Sequence, residues 1–278
     1  RTKITKMGDQ TTKAGAQTEE NKKSVDCNTG WKETITSLVS VHGKRELVAS
    51  AFGSRVQIWS SRTAKLVTLA LELEDESSAA VRALSFSPDG RLLLLAFDDK
   101  WVQIWNTTDL RVACRILLPK RCSGASFTKD GKYVLLADKF GDVYCAHTEV
   151  SPETVEEEKQ GEVPRMKSWN LFGHFCSIIT ALDVSGDSCL ILSGDRDGKL
   201  RLTWMPSDMN DKHGAYEIAA YCMGHDQFIT GAAFCGGLVV SSSGDGSVAL
   251  WSTEGELLCQ HVFAGGAEAA AGRSAGEP

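Results

Sequence analysis

The sequence predicts an all-β fold, a β-propeller in which about five blades are present. A turn followed by a short strand recurs along the chain, with the turns anchored at Gly53, Asp99, Phe140, Asp197 and Asp245. An apolar strand precedes every copy, and a further strand precedes that one in four of the five copies. Antiparallel units that repeat at roughly 40–50 residues are typical of propeller blades.

In order along the chain, the copies share a turn and an alternating strand, which ends in an aromatic residue in four of them. They read Gly53-Ser-Arg-Val-Gln-Ile-Trp59, Asp99-Lys-Trp-Val-Gln-Ile-Trp105, the degenerate Phe140-Gly-Asp-Val-Tyr-Cys-Ala146, Asp197-Gly-Lys-Leu-Arg-Leu-Thr-Trp204 and Asp245-Gly-Ser-Val-Ala-Leu-Trp251. The apolar strands before them begin at Leu47, Leu92, Tyr133, Cys189 and Leu238. The strands before those begin at Val81, Ser123, Ile179 and Ile229, which leaves the first copy incomplete. Turn residues separate the two strands, as in Ser87-Pro-Asp-Gly.

The repeats divide the chain into a propeller region at 31–263 and two flanking segments. Residues 1–30 are polar and predict a mobile tail, and residues 264–278 form an Ala/Gly-rich tail. The long step between the third and fourth copies holds an insertion at about 149–167, which we interpret as a solvated loop between blades. Because the chain opens at Arg1 and ends without a further blade, we expect a fragment.

A hydrogen-bonded tetrad that is typical of WD-repeat blades is predicted in the last copy, from His225, Ser242, Asp245 and Trp251. Each member satisfies the buried polar group of the next, so these residues are interpreted as structural rather than catalytic. In the copy at 197 the aromatic has slipped by one residue, so that Thr203 takes the tetrad position and Trp204 follows it. The predicted fold is therefore a WD-repeat propeller.

Composition and motifs exclude several classes of function. The net charge of −6 argues against a protein whose main role is to coat nucleic acid. No apolar run is long enough to span a membrane, and the nine cysteines form no C-x-x-C pair, which disfavours a zinc site and a disulfide framework. There is no phosphate-binding glycine loop and no acid/base or nucleophile constellation. We therefore expect no cofactor, no metal, no catalytic residue and no membrane partner.

Four cations are predicted to share one rim of the propeller. Lys139 and Arg196 each precede a turn anchor by one residue, on adjacent blades, and Lys120 and Arg121 lie between two copies. Such a cluster is suited to carboxylates of a partner protein or to RNA phosphates. Ordinary solvated surface charge is the alternative interpretation.

Four segments go beyond a generic WD repeat. They are Lys120-Arg-Cys-Ser-Gly-Ala-Ser-Phe127, Val134-Leu-Leu-Ala-Asp-Lys-Phe-Gly-Asp-Val-Tyr144, Ile191-Leu-Ser-Gly-Asp-Arg-Asp-Gly-Lys-Leu-Arg-Leu-Thr-Trp204, and Gly224-His-Asp-Gln-Phe-Ile229 with Ser241-Ser-Ser-Gly-Asp-Gly-Ser-Val-Ala-Leu-Trp251. Together they resemble the WD-repeat, non-catalytic subunit of tRNA (guanine-N7)-methyltransferase over about residues 80–262.

The resemblance implies a seven-bladed, non-enzymatic scaffold, of which this chain is an incomplete version. It implies a separate catalytic partner that binds S-adenosylmethionine and methylates N7 of a guanosine in the tRNA variable loop, in the nucleus. It further implies that Arg201 pairs with an acidic residue of that partner and that Lys139 lies on the same working surface, whereas Gly198 departs from the glutamate common in the family. On this interpretation, charge reversal at Arg201 weakens partner binding and leaves the fold intact.

Two other classes of function stay open. A general WD-repeat adaptor, for ubiquitin ligation or chromatin complexes, would present the same rim to peptides. An enzyme that works alone is the third class, and no residue constellation in the sequence favours it. Loss of a tRNA modification in cells without the protein would separate the scaffold from the adaptor.

Overall fold

Short runs of Val, Ile and Leu between turn residues form the strands of this protein. The computed structural model describes residues 37–69, 71, 80–157, 162–209 and 214–263, so the predicted tails at 1–30 and 264–278 lie outside the described residues. Apart from one 3-10 turn at Gly43–Arg45, the regular structure of the described residues is β-strand. The prediction of an all-β propeller with five blades is confirmed.

Blades 1 to 3 each contain four antiparallel strands in chain order. Blade 1 is β1 (Ser37–His42), β2 (Leu47–Phe52), β3 (Arg55–Ser60) and β4 (Lys65–Thr68). Blade 2 is β5 (Val81–Phe86), β6 (Leu92–Phe97), β7 (Trp101–Asn106) and β8 (Val112–Leu117). Blade 3 is β9 (Cys122–Phe127), β10 (Tyr133–Asp138), β11 (Asp142–His147) and β14 (Ser168–Gly173), with β12 (Val155–Glu157) and β13 (Arg165–Met166) inserted before its last strand.

Blades 4 and 5 repeat the same arrangement, with no inserted strand among their described residues. Blade 4 is β15 (Ile179–Val184), β16 (Leu190–Asp195), β17 (Leu200–Trp204) and β18 (Ile218–Cys222). Blade 5 is β19 (Ile229–Cys235), β20 (Leu238–Ser243), β21 (Ser247–Trp251) and β22 (Leu257–Val262). The sequence pattern did not reveal β1, which is the first strand of blade 1.

The second strand of a central blade is buried on both of its faces. In β6, Leu93 and Leu95 pack towards blade 1, whereas Leu94 and Ala96 pack towards blade 3. Successive strand side chains point to opposite faces, so an unbroken apolar run fits a sheet that is covered on both sides. The core therefore lies between the blades, as one apolar layer at each junction.

The blades pack in chain order through their first strands, β1 on β5, β5 on β9, β9 on β15 and β15 on β19. Within the described part of the chain, no comparable packing joins β19 to β1. Blade 1 accordingly exposes apolar side chains on its outward face, where Val41, Trp59 and Leu66 follow one another across the sheet. The described blades thus form an open arc.

The insertion at about 149–167 differs from the solvated loop between blades that the sequence suggests. It lies within blade 3, and β13 pairs in parallel with β8 of blade 2, which extends that sheet to six strands. Val155 and Met166 are buried against the core between blades 2 and 3. Burial of these apolar side chains and pairing of an otherwise free sheet edge explain why the segment is not a loop throughout. Residues 158–161 of the insertion lie outside the described residues.

The tetrad of blade 5 contains Ser241, so the prediction of Ser242 in that role is wrong. The Trp251 indole N–H donates to Ser241 Oγ at 2.8 Å, and Ser241 Oγ lies 2.7 Å from His225 Nε2. His225 Nδ1 lies 3.1 Å from Asp245 Oδ2, as predicted for that pair. Ser242 Oγ faces the opposite side of β20, where it bonds to Thr230 Oγ1. The two serines are adjacent in sequence, and strand alternation decides which of them faces the buried side.

Blade 4 carries a variant of the same network. His174 bonds to Asp195 Oδ2 at 3.0 Å and to Ser193 Oγ at 2.7 Å. Thr203 is fully buried at the position that Trp251 takes in blade 5, whereas Trp204 is exposed, which confirms the predicted slip. The carboxylate is supplied by Asp195 rather than by the turn anchor Asp197.

We expect Ser241→Ala to lower the free energy of unfolding by about 2 kcal/mol, because both Trp251 and His225 lose a buried partner. Ser242→Ala is the matched control. Its hydroxyl bonds to the exposed Thr230, so we expect a change below about 0.5 kcal/mol. Denaturant unfolding of the two variants measures the difference, and equal losses would contradict the assignment of Ser241.

Candidate functional site

One rim of the arc is formed by the turns between the second and third strands, together with the segments before each first strand. We call it the upper rim. The antiparallel pairing of β9 with β10 and of β15 with β16 brings these two sets of residues to the same end of each blade. Lys139 of blade 3 and Arg196 of blade 4 are exposed in two of these turns, where the sequence predicted them.

A cavity of about 340 Å³ opens on the upper rim at the junction of blades 2 and 3. Its lining is predominantly basic and consists of Asp98, Asp99, Lys100, Lys120, Arg121, Lys139 and Phe140. We call it the basic cavity. It brings together three of the predicted rim cations, Lys120, Arg121 and Lys139, but Arg196 lies outside its lining.

Two lysines flank an exposed aromatic ring in the basic cavity. The Nζ atoms of Lys120 and Lys139 lie 4.9 and 5.4 Å from the centroid of the Phe140 ring, which is 54% exposed. The backbone N–H of Lys139 donates to the carbonyl of Arg121 at 3.1 Å, which joins the turn to the segment before β9. Cations over an aromatic face attract the ring electrostatically. Both ammonium groups therefore lie within cation–π distance of the same ring.

Arg121 is already engaged by a carboxylate. Asp98 accepts hydrogen bonds from Arg82 and from Arg121, each at 2.8 Å, and so links blade 2 to the segment that begins blade 3. The pKa of Asp98 is lowered, chiefly because Arg82 donates a hydrogen bond to its carboxylate. Partial burial opposes this effect, and the hydrogen bond from Arg121 adds to it. In the described residues no ion pair engages Lys120 or Lys139. These two lysines therefore contribute positive charge to the cavity that no described ion pair compensates.

A buried carboxyl group supports the turn beneath these lysines. Asp138 is fully buried, and its Oδ1 accepts backbone N–H bonds from Phe140 at 2.8 Å and Asp142 at 3.0 Å. Its Oδ2 has no hydrogen-bond partner among the described residues. Burial raises the pKa of Asp138. Asp195 holds the next blade's turn in the same way, but there His174 satisfies the second oxygen.

Arg201 lies below the upper rim rather than on it. It is 8% exposed, its Nε donates to Thr203 Oγ1 at 2.9 Å, and its Nη1 donates to the carbonyl of Gly173 at 3.1 Å. Its guanidinium also stacks over Phe172 at 4.7 Å. Charge reversal at Arg201 is therefore expected to cost stability as well as partner binding, because a glutamate there would face a buried carbonyl without a donor.

The chemistry available on the upper rim is recognition of anions. Lysine ammonium groups beside an exposed aromatic ring suit phosphates or carboxylates whose neighbours are flat or apolar. Among the described residues no group of three or more His, Cys, Asp or Glu side chains is placed to hold a metal ion. No helix in the described ranges is long and apolar enough to cross a membrane.

Sequence reasoning missed Phe140, Lys100 and Asp98 as members of this site. A signal for Phe140 was present, because the aromatic ring stands at a turn anchor where three of the other copies have aspartate. The part played by Asp98 had no such signal, since its pairing with Arg82 and Arg121 depends on how two blades meet.

Comparison with known proteins identifies relatives among the subunits of tRNA methyltransferases. A family model described as the tRNA methyltransferase TRM82 WD40 domain matches residues 1–168 and 147–271. The non-catalytic subunit of tRNA (guanine-N(7)-)-methyltransferase, wdr4, from Dictyostelium discoideum is 25% identical over 78% of this chain and 46% of its own. The Homo sapiens subunit of that name, WDR4, is 30% identical over 68% of this chain and 42% of its own. The Drosophila melanogaster subunit, wuho, is 28% identical over 66% and 40%.

The chain thus spans less than half the length of these relatives. Among solved structures, the β-propeller domain of Myceliophteria thermophila Cps50 (Swd1) matches with a TM-score of 0.61 and 17% identity, over 78% of this chain and 64% of its own. A chain of the mitotic checkpoint complex matches with a TM-score of 0.62 and 16% identity, over 81% and 65%. These structural similarities show the propeller fold alone.

We expect Asp98→Asn and Asp138→Asn to change the pH dependence of stability in opposite directions. The pKa of Asp98 is lowered in the fold, so its ionised form stabilises the protein above an ordinary carboxyl pKa of about 4 and the benefit is lost as pH falls. The pKa of Asp138 is raised, so ionisation of its buried carboxyl costs stability as pH rises through that range.

Denaturant unfolding between about pH 3 and pH 7 measures both effects. Relative to the parent chain, Asp98→Asn should become progressively less stable as pH rises, and Asp138→Asn progressively more stable. Asparagine keeps the Oδ1 acceptor that the Phe140 and Asp142 amides need, so the turn is retained. Parallel curves for the two variants would contradict the assignment.

Proposed function

The chain belongs to the family of the tRNA methyltransferase TRM82 WD40 domain, and from this premise we propose that it is the non-catalytic scaffold subunit of a tRNA guanine-N7 methyltransferase. In this role it binds a separate catalytic subunit, stabilises the active conformation of that subunit and helps to position tRNA. The observation that carries the proposal is the family match, which extends over almost the whole chain and agrees with relatives named as non-catalytic subunits.

The rim geometry supports a binding role without chemistry of its own. A scaffold contributes by holding reacting partners in a fixed orientation, which needs a rigid surface and charge complementarity rather than acid/base groups. The basic cavity has both properties, because backbone bonds fix the Lys139 turn and two lysines lie beside Phe140. Positive potential at a rim also raises the rate at which an anionic partner associates.

We assign two sets of contacts on this surface. Lys139 and Arg196 meet carboxylates of the catalytic subunit, and Arg201 adds guanidinium donors from below, since the fold uses two of its roughly five N–H donors. Lys120, Arg121 and Lys139 meet phosphates of tRNA. The methyl donor S-adenosylmethionine is bound by the catalytic subunit, and the proposed compartment is the nucleus.

The proposal is tested by co-purification and by methyl transfer. The chain is expressed with a catalytic guanine-N7 methyltransferase subunit, and tRNA methylation is measured with labelled S-adenosylmethionine for each chain alone and for the pair. Methylation that needs both chains supports the scaffold. If neither chain alone nor the pair methylates tRNA, and this chain binds peptide partners of other WD-repeat proteins, the general adaptor would be favoured.

We expect the double variant Lys120→Glu/Lys139→Glu to lower methylation by the pair at least about tenfold, since two lysines without ion-pair partners become carboxylates. The matched control is Lys132→Glu, an exposed lysine at the opposite end of blade 3. It changes charge without touching the upper rim and should retain activity. An equal loss of methylation in the control and in the double variant would contradict the assignment of the basic cavity but not the scaffold role.

A further inference from the structure

The slipped tryptophan of blade 4 stands at a cleft on the opposite rim. Strand β17 runs away from the upper rim, so Trp204 at its end lies on the rim formed by the turns between third and fourth strands, which we call the lower rim. Trp204 is 44% exposed and Tyr216 is 79% exposed. Both line a cleft of about 730 Å³, together with Met205, Pro206, Ser207, Asp208, Gly214, Ala215 and Glu217.

The walls of this cleft are fixed to the blades on three sides. The Trp204 N–H donates to the carbonyl of Glu217 at 2.9 Å, and the Met205 N–H donates to Cys189 at 2.8 Å. The Ala215 N–H donates to the carbonyl of Leu171 in blade 3 at 2.7 Å, and Ala215 is itself buried in the core. The described walls are therefore preorganised, which lowers the entropy that binding a ligand costs.

A glycine allows the second aromatic ring to lie against the backbone. A Cβ atom on Gly214 would collide with the ring of Tyr216 and with the carbonyl oxygen of Leu171. Absence of a side chain thus permits Tyr216 to fold over residue 214 while most of its surface stays exposed. An exposed ring held in this way presents a face to a ligand at little conformational cost.

The chemistry of the lining favours a cation. Two aromatic residues, a thioether and the carboxylate of Glu217 line the cleft, and no lysine or arginine is among the described lining residues. Indole and phenol faces attract ammonium and guanidinium groups, and a nearby carboxylate adds to that attraction. The Glu217 carboxylate also opposes the phosphates of RNA.

We propose that this cleft binds the arginine or lysine side chain of a basic peptide, with the cation over Trp204 and near Glu217. The lower rim thereby becomes a second protein-binding surface, separate from the basic cavity of the upper rim. The proposal does not depend on the methyltransferase role. Tryptophan is the aromatic ring that binds cations best, and its exposure here follows from the one-residue slip in β17.

Calorimetric titration of the chain tests the cleft with a short glycine- and alanine-rich peptide that has one central arginine. The control peptide carries citrulline, which keeps the shape of arginine and lacks its charge. We expect the arginine peptide to bind with a dissociation constant of about 1 mM or tighter, and the citrulline peptide to bind at least about fivefold more weakly. Trp204→Leu should weaken binding about tenfold, and Glu217→Gln about threefold.

The matched control variant is Trp59→Leu, because Trp59 is 42% exposed on blade 1 and lies far from the cleft in sequence and in the blade order. It should leave binding unchanged. If Trp204→Leu unfolds the chain, Tyr216→Ala replaces it, since that ring is almost fully exposed. Equal binding of both peptides, no binding by the parent chain, an equal effect of Trp59→Leu, or capture of a single-stranded RNA at Trp204 in place of the peptide would each overturn the proposal.

Discussion

Burial of β-sheets face against face is the constraint on which both rims depend. Strands β6, β10 and β16 lie at the centre of their blades and are buried on both sides, so they cannot shift by one residue without turning their apolar side chains over. Their ends therefore reach the rims at fixed positions. The cations of the upper rim lie directly after these strands, at Lys139 and Arg196, and inherit that fixed placement.

Polar side chains at the strand ends fix the turns that follow the buried strands. Asp138 and Asp195 end the second strands of two neighbouring blades, and each accepts two backbone N–H bonds from the residues that follow. In blade 4 a histidine satisfies the second carboxylate oxygen, whereas in blade 3 that oxygen is buried without a partner among the described residues. The two turns share geometry but differ in how the second carboxylate oxygen is satisfied, and burial raises the pKa of Asp138.

The sequence repeat was enough to predict the blades, but it was not enough to predict the contacts of the tetrad and of the basic cavity. Alternation and turn residues located three strands in four of the five blades, and the slip of Trp204 was visible as an extra residue before the aromatic. Local pattern could not decide between Ser241 and Ser242, because the choice depends on how β20 pairs with β21, where Ser241 shares the face of Trp251. Nor could it show that the insertion returns to pair with β8, or that Asp98 holds Arg121, because both depend on contacts between residues distant in sequence.

The one-residue slip in β17 changes the order of large and small side chains along the strand, and this change affects both rims. In blade 5, Ala249 and Trp251 occupy neighbouring positions on the face towards blade 4, and the indole reaches the tetrad serine. In blade 4 the equivalent positions hold Arg201 and Thr203, so the large side chain comes first and the small one second. The guanidinium fills the space beside Thr203, which brings a buried cation under the upper rim. The displaced indole cannot enter the same layer and emerges at the lower rim instead. In blade 4 a buried arginine below the upper rim thus accompanies an exposed indole at the lower rim.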